Sequence, residues 1–134
     1  MSIASTIAVS GMAAAVMRLD IAASNIANSL SAGPLPDAAN PEKFPAAYTP
    51  LRVDQVDLAS GGTTAIVNRV SPESVPAFDP GAPYADASGQ VAMPNVDLGN
   101  EIVQTMIARL TYAANAQVVR ADAQMTAVLF SIVA

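Results

Sequence analysis

Ten prolines stand in this chain of 134 residues, and every one lies between Pro34 and Pro94. Proline has no backbone N–H, and its ring clashes with the preceding helical turn, so a helix interior excludes it. The distribution therefore leaves two stretches free to form long helices, one before position 34 and one after position 94. Between them no long helix can run.

The later stretch carries its own start signal. Asp97 is a good N-cap residue, and Glu101 falls in the first turns, where the helix dipole favours a carboxylate. From there the pattern predicts one helix to about Val133, roughly 50–55 Å long at 1.5 Å per residue. Ile107, Ala114, Val118, Ala121, Met125, Val128 and Ile132 recur at three- and four-residue steps, the spacing of a coiled-coil-like seam. A helix this long outruns the core of so small a domain and needs a partner along its length.

The earlier stretch offers that partner. Val9, Met12, Val16, Leu19, Ala23, Ile26 and Leu30 alternate by three and four, and Ile3, Ile7, Ala14, Met17 and Ile21 form a second apolar line. A helix apolar on two sides is buried on two sides. Ser29, Ser31 and Gly33-Pro34 stop it. The expected fold is mainly α with a small β part. Long N- and C-terminal helices (1–31 and 95–134) pair as an antiparallel coiled-coil-like hairpin, and a Pro-rich loop and β-hairpin region (32–94) lies between them.

Within that middle, residues 31–44 read as loop because of their prolines and Gly33. Tyr48–Leu58 and Thr63–Val70 flank Gly61-Gly62 and read as a β-hairpin. Val75–Phe78 reads as an edge extension of it, limited by Pro72 and Pro76. Turns follow at Asp79–Pro83 and Asp86–Gly89, the latter with Gly89 at positive φ, and Gln90–Met93 is a short extended lead into the second helix.

Composition narrows the function. Only 13% of residues are charged, about half the usual share, while 52% are hydrophobic. That excess of apolar surface implies cover by other subunits. The net charge is −5 and the cations are scattered singly, which argues against nucleic-acid binding. Cys and His are absent, removing thiolates, disulfides and the commonest general base and metal ligand. Asp54 with Asp57, and Asp79 with Asp86, are the nearest thing to paired acids, yet they sit in or near turns where Asp is expected. No calcium loop or phosphate loop is complete, and the methionines at helical spacing read as core. The expectation is a protein with no catalytic residues, no cofactor and no metal. The first cation is Arg18, so no basic leader region precedes the apolar run. That run, Ile7–Met17, is too short to cross a bilayer, so no membrane span is expected.

Asn25 and Asn28 lie three apart on one helix face. They read either as polar caps near the helix end or as amides that bond a neighbouring subunit's backbone and fix register, as a buried Asn does in a coiled coil. Two function classes remain. One is a structural subunit that packs against copies or relatives of itself. The other is an amphipathic hairpin on a membrane surface or an export apparatus; for the membrane surface, six cations against eleven acids are a poor endowment.

Three blocks resemble a known family, the proximal rod proteins of the bacterial flagellar basal body, and within it the C-type. The first runs from Ser10-Gly11-Met12 through Arg18-Leu-Asp-Ile-Ala-Ala-Ser-Asn-Ile-Ala-Asn28 and is shared with rod and hook proteins at large. The second, Phe78–Val91, and the third, Met93–Asp97 with Glu101 and Tyr112-Ala-Ala-Asn115, are similar to the C-type in particular. Two positions depart from the pattern: Ile102 stands where Met is usual, and Leu110 where Arg is usual, with Arg109 one place earlier. The resemblance implies export by the flagellar type III apparatus without cleavage, location in the periplasmic rod, and helical assembly with copies and other rod proteins into a drive shaft. The residues it and the periodicity assign to the assembly interface are Val9, Met12, Val16, Leu19, Ala23, Asn25, Ile26, Asn28, Glu101, Arg109, Tyr112, Asn115, Val118, Met125 and Val128.

Overall fold

The computed structural model describes residues 2–36 and 43–133. Part of the Pro-rich loop, including Pro41, lies outside the described residues. The order of elements is α1 (Ile3–Ala27), β1 (Leu51–Asp57), β2 (Thr63–Arg69), β3 (Ser74–Phe78), β4 (Gln90–Pro94) and α2 (Leu98–Val133). The two helices and the hairpin at Gly61-Gly62 stand where the prolines and glycines predict them.

Local chemistry sets the helix ends. Ser2 caps α1, its hydroxyl accepting the Ser5 N–H at 3.1 Å. Asp97 caps α2, its carboxylate accepting the Asn100 N–H at 3.1 Å while its carbonyl takes the Glu101 N–H. Helix α1 stops at Ala27, four residues short of the expected end at position 31. There the side chains of Asn28 and Ser29 add bonds to the Ser24 and Ile26 carbonyls, which also accept the backbone N–H groups of Asn28 and Ser29.

The strands form two sheets of two. β1 pairs with β2 across the glycine turn, with Gly61 at φ 87° and Gly62 at φ 89°. β3 is not an edge of that hairpin. It pairs antiparallel with β4 in a separate sheet, Ser74 opposite Pro94 and Phe78 opposite Gln90. The connection between them is closed by its own bonds. Gly89 takes φ 76°, and the Asp86 carboxylate accepts the Ser88 and Gln90 N–H groups, both at 2.8 Å. On the other side of β4, Gly33 exchanges two backbone bonds with Ala92. Gly33 must be glycine, because a Cβ there would collide with the Ala47 nitrogen and lie 2.7 Å from two more backbone atoms of residues 45 and 46.

The described chain divides into two compact units, and each draws on both helices and on the middle. One unit holds the chain up to Asp20, Val53–Val67 and the chain from Val103 on. In it, Gly11 of α1 faces Asn115 of α2, and Ser2 and Ser5 reach Asp122, so the helices run antiparallel. Its buried residues are small: Ser5, Ala8, Gly11, Ala14, Ala15 and Ala108. Arg18 bonds Gln55 at 3.0 Å, and the Ser10 hydroxyl accepts the Thr63 N–H, seating the hairpin turn on α1.

The other unit holds Ile21–Arg52 and Asn68–Ile102. Its core contains the only large apolar residues of the described chain that are fully enclosed, Val91 and Pro50, together with Ala22, Ala92 and Asn25. Glu73 ties its loops together, accepting from Arg69 at 3.2 Å and Thr49 at 3.0 Å.

Candidate assembly interface

The apolar lines that periodicity picks out do not lie between the helices. Val9, Val16 and Ile26 of α1 are exposed, as are Ile107, Val118, Met125, Val128 and Ile132 of α2; Val118 is 43% exposed and Met125 60%. Ala23 is exposed too; Met12, Leu19 and Ile21 are half-buried, and Ala14 is buried. The contact face instead carries small and polar residues. On α1 it is Ser5, Ala8, Gly11, Ala15, Ala22 and Asn25. On α2 it includes Glu101, Asn115 and Asp122, and Ala108 is buried as well. The physical reason is closeness: small side chains let two helices approach until no large apolar group fits between them.

Arg109 and Tyr112 stand on the outside of α2 as well, both exposed. Arg109 has no ion pair among the described residues. The outer surface of the chain is thus unusually apolar along both helices, and it continues into Leu129 and Phe130, the latter 73% exposed.

At the inner face sits a polar hub. Asn25 is 0% exposed and uses its whole amide within the chain. The NH2 donates to the Leu51 carbonyl at 2.7 Å and to a Glu101 carboxylate oxygen at 3.0 Å. Its carbonyl oxygen accepts the Tyr48 hydroxyl at 3.0 Å and the Leu51 N–H at 3.1 Å. Tyr48 is held in turn by the Ser24 hydroxyl at 3.1 Å. One side chain therefore joins α1, the start of β1 and the first turn of α2. Asn28 instead serves the helix end, as a local cap. The amide that sequence reasoning offers to a neighbouring backbone is spent here on the chain's own.

Electrostatics follow the geometry. Burial pushes the Glu101 carboxyl up; the Asn25 bond opposes this, and nearby Asp97 adds to it. Asp122 is held below the usual carboxylate range, chiefly by the Ser2 hydroxyl and then by Ser5 at the start of α1. An anion at a helix N-terminus is favoured. Among the described residues no group of three or more His, Cys, Asp or Glu could hold a metal.

Relatives decide the family. The flagellar basal-body rod protein FlgC of Salmonella typhimurium is 40% identical over 118 residues, covering 84% of this chain and 82% of the relative. FlgC of Escherichia coli O157:H7 is 37% identical over the same share of each. FlgC of Agrobacterium fabrum is 34% identical over 130 residues, 95% of this chain and 91% of that one. The chain belongs to the FlgC family of basal-body rod proteins. No protein-family profile matches it.

The three blocks that resemble FlgC map onto the structural joints. The first supplies Ser10, which seats the hairpin turn, and Asn25. The second is β3, its closed connection and the start of β4. The third caps α2 and supplies Glu101 and Asn115. Sequence reasoning missed the Tyr48 and Leu51 bonds to Asn25, the pairing of Gly33 with Ala92 and the Ser2–Asp122 contact. Each joins residues far apart in sequence, and only Gly33, read from the sequence as a helix stop, leaves any local mark.

By length and composition α1 as a whole could cross a membrane, although its central apolar run is short. Its Arg18 and Asn25 side chains and its capping Ser2 all make tertiary bonds within the chain, the mark of a helix packed on its own protein.

Proposed function

We propose that this chain is a structural subunit of the proximal rod of the flagellar basal body. It assembles helically in the periplasm with copies of itself and other rod proteins, after export by the flagellar type III apparatus, and the resulting shaft carries motor torque. What supports this reading is one observation joined to the family. The periodic apolar residues of both helices face outward in the single chain, where another subunit can cover them. Val9, Val16, Ile26, Val118, Met125 and Val128 are the proposed contacts, with Arg109 and Tyr112 beside them. Contacts that do not close on themselves generate an open helix of subunits.

A deletion strain tests the reading through swimming and through rods in isolated basal bodies, both of which should be lost. Leu19→Asp, which places a charge on the half-buried edge of the α1 apolar line, should stop assembly, since burying an unpaired charge costs several kcal/mol. Normal swimming in that strain refutes the proposed interface. The length and apolar character of α1 favour a second reading, a hairpin lying on a membrane. Flotation with anionic liposomes would support that reading, and failure to float would end it.

A further inference from the structure

We infer that Asn25, Asn115 and Asp122 are positioning residues that fix how far α1 and α2 are slid along each other. The apolar seam cannot do this, because it lies outside the helix pair. Nor can the buried stripe on α1. Ser5, Ala8, Gly11 and Ala15 are spaced by about one turn, so along this stretch a slip of one turn replaces one small residue with another. Three contacts among the described residues do distinguish one register from the next. Asn25 donates to Glu101. Asn115, whose own amide is tied to the Thr111 carbonyl at 2.9 Å, fills the space left by the missing Cβ of Gly11; a Cβ there would lie 2.8 Å from it. Asp122 receives the Ser2 and Ser5 groups at the start of α1.

All three name the same alignment. The residue numbers in each pair sum to between 124 and 127: 25 with 101, 11 with 115, and 2 or 5 with 122. A slip of one turn would set Asn115 against the methyl of Ala8 or Ala15 and part both carboxylates from their donors. Alignment matters to assembly because it decides which outward residues of α1 stand beside which of α2. That consequence rests on the rod reading; the alignment itself does not.

The chain has no cysteine, so a pair of introduced labels reads the slide directly. Spin labels on Ala13→Cys and Ala123→Cys, both exposed positions, would report distance by double electron–electron resonance in the dilute free chain. The parent should give one narrow distance. With Asn25→Leu, Asn115→Ala and Asp122→Ala together, the distribution should split or move by several ångströms, less than the ~5.4 Å axial slide of one helical pitch. A single unmoved distance with helix content retained overturns the inference. If the threefold variant does not fold, Asn115→Ala with Asp122→Ala leaves the buried hub whole. That variant should broaden the distribution, and a width equal to the parent's overturns the inference too.

Discussion

Replacing Asn25 with aspartate changes two atoms' worth of chemistry at a site with no solvent. The two accepted bonds, from Tyr48 and Leu51 N–H, survive in Asn25→Asp. The two donated bonds, to the Leu51 carbonyl at 2.7 Å and to Glu101 at 3.0 Å, become oxygen-on-oxygen contacts. Each lost bond costs about 1 kcal/mol net, and the Leu51 carbonyl, deprived of the Asn25 donor, costs about 1–3 kcal/mol more. A second carboxylate beside Glu101, which already has Asp97 near it, adds repulsion. The expected loss at neutral pH is about 3–5 kcal/mol. It should shrink in acid. The crowded carboxyl pair binds a proton more tightly folded than unfolded, so the variant gains stability relative to the parent as pH falls through that raised folded pKa, and the gain is complete below the ordinary Asp value near 4. Urea unfolding followed by circular dichroism at neutral and at acid pH measures both effects. Asn25→Leu, which adds no charge, serves as the control without the pH term. A neutral-pH loss under about 1 kcal/mol, or one that acid does not relieve, would refute the account of the hub.

Gly33→Ala should destabilise by about 3 kcal/mol, read as a lowered thermal midpoint, because the atoms in its way are backbone and cannot swing aside. Gly62→Ala faces both a left-handed φ and a Ser10 hydroxyl 2.6 Å from the new Cβ, so the hairpin turn should lift from α1 and the Thr63 amide should lose its hydrogen-exchange protection. The Asp86 carboxyl is held low by the Gln90 N–H and then the Ser88 side chain. A lowered acid pKa stabilises above its unfolded value and ceases to as pH falls through the folded one, so protection of the Ser88 and Gln90 amides should vanish in acid, and Asp86→Asn should show little such change.

The prolines, the Asp97 cap and the Gly61-Gly62 turn are local signals, and the helices and the hairpin were legible from them. The pairing of β3 with β4 was not, since Val75–Phe78 and Gln90–Met93 look alike as short extended runs and their partnership depends on a loop that closes on Asp86. Periodicity marks Val9, Val16, Val118 and Met125 as an apolar face, and the structure leaves them exposed. It could not say whether the cover comes from the chain or from outside, because both produce the same spacing. The true helix contact is written in alanines, glycine and amides, residue types that hydrophobic periodicity underweights. Asn25 stood out as an amide on that face, yet its partners Tyr48, Leu51 and Glu101 are separated from it by 23, 26 and 76 residues and leave no pattern beside it.

The pairing of the Asn25 amide with Leu51 has an effect on how free copies meet. The Pro50 carbonyl already bonds the Val70 N–H across the hairpin. Because successive residues of a strand alternate sides, Leu51 turns its N–H and C=O to the open edge. An unguarded edge invites another chain to zip on and aggregate. Here a side chain occupies the first rung of that ladder, a built-in plug against sticky encounters before the subunit reaches its proper neighbours.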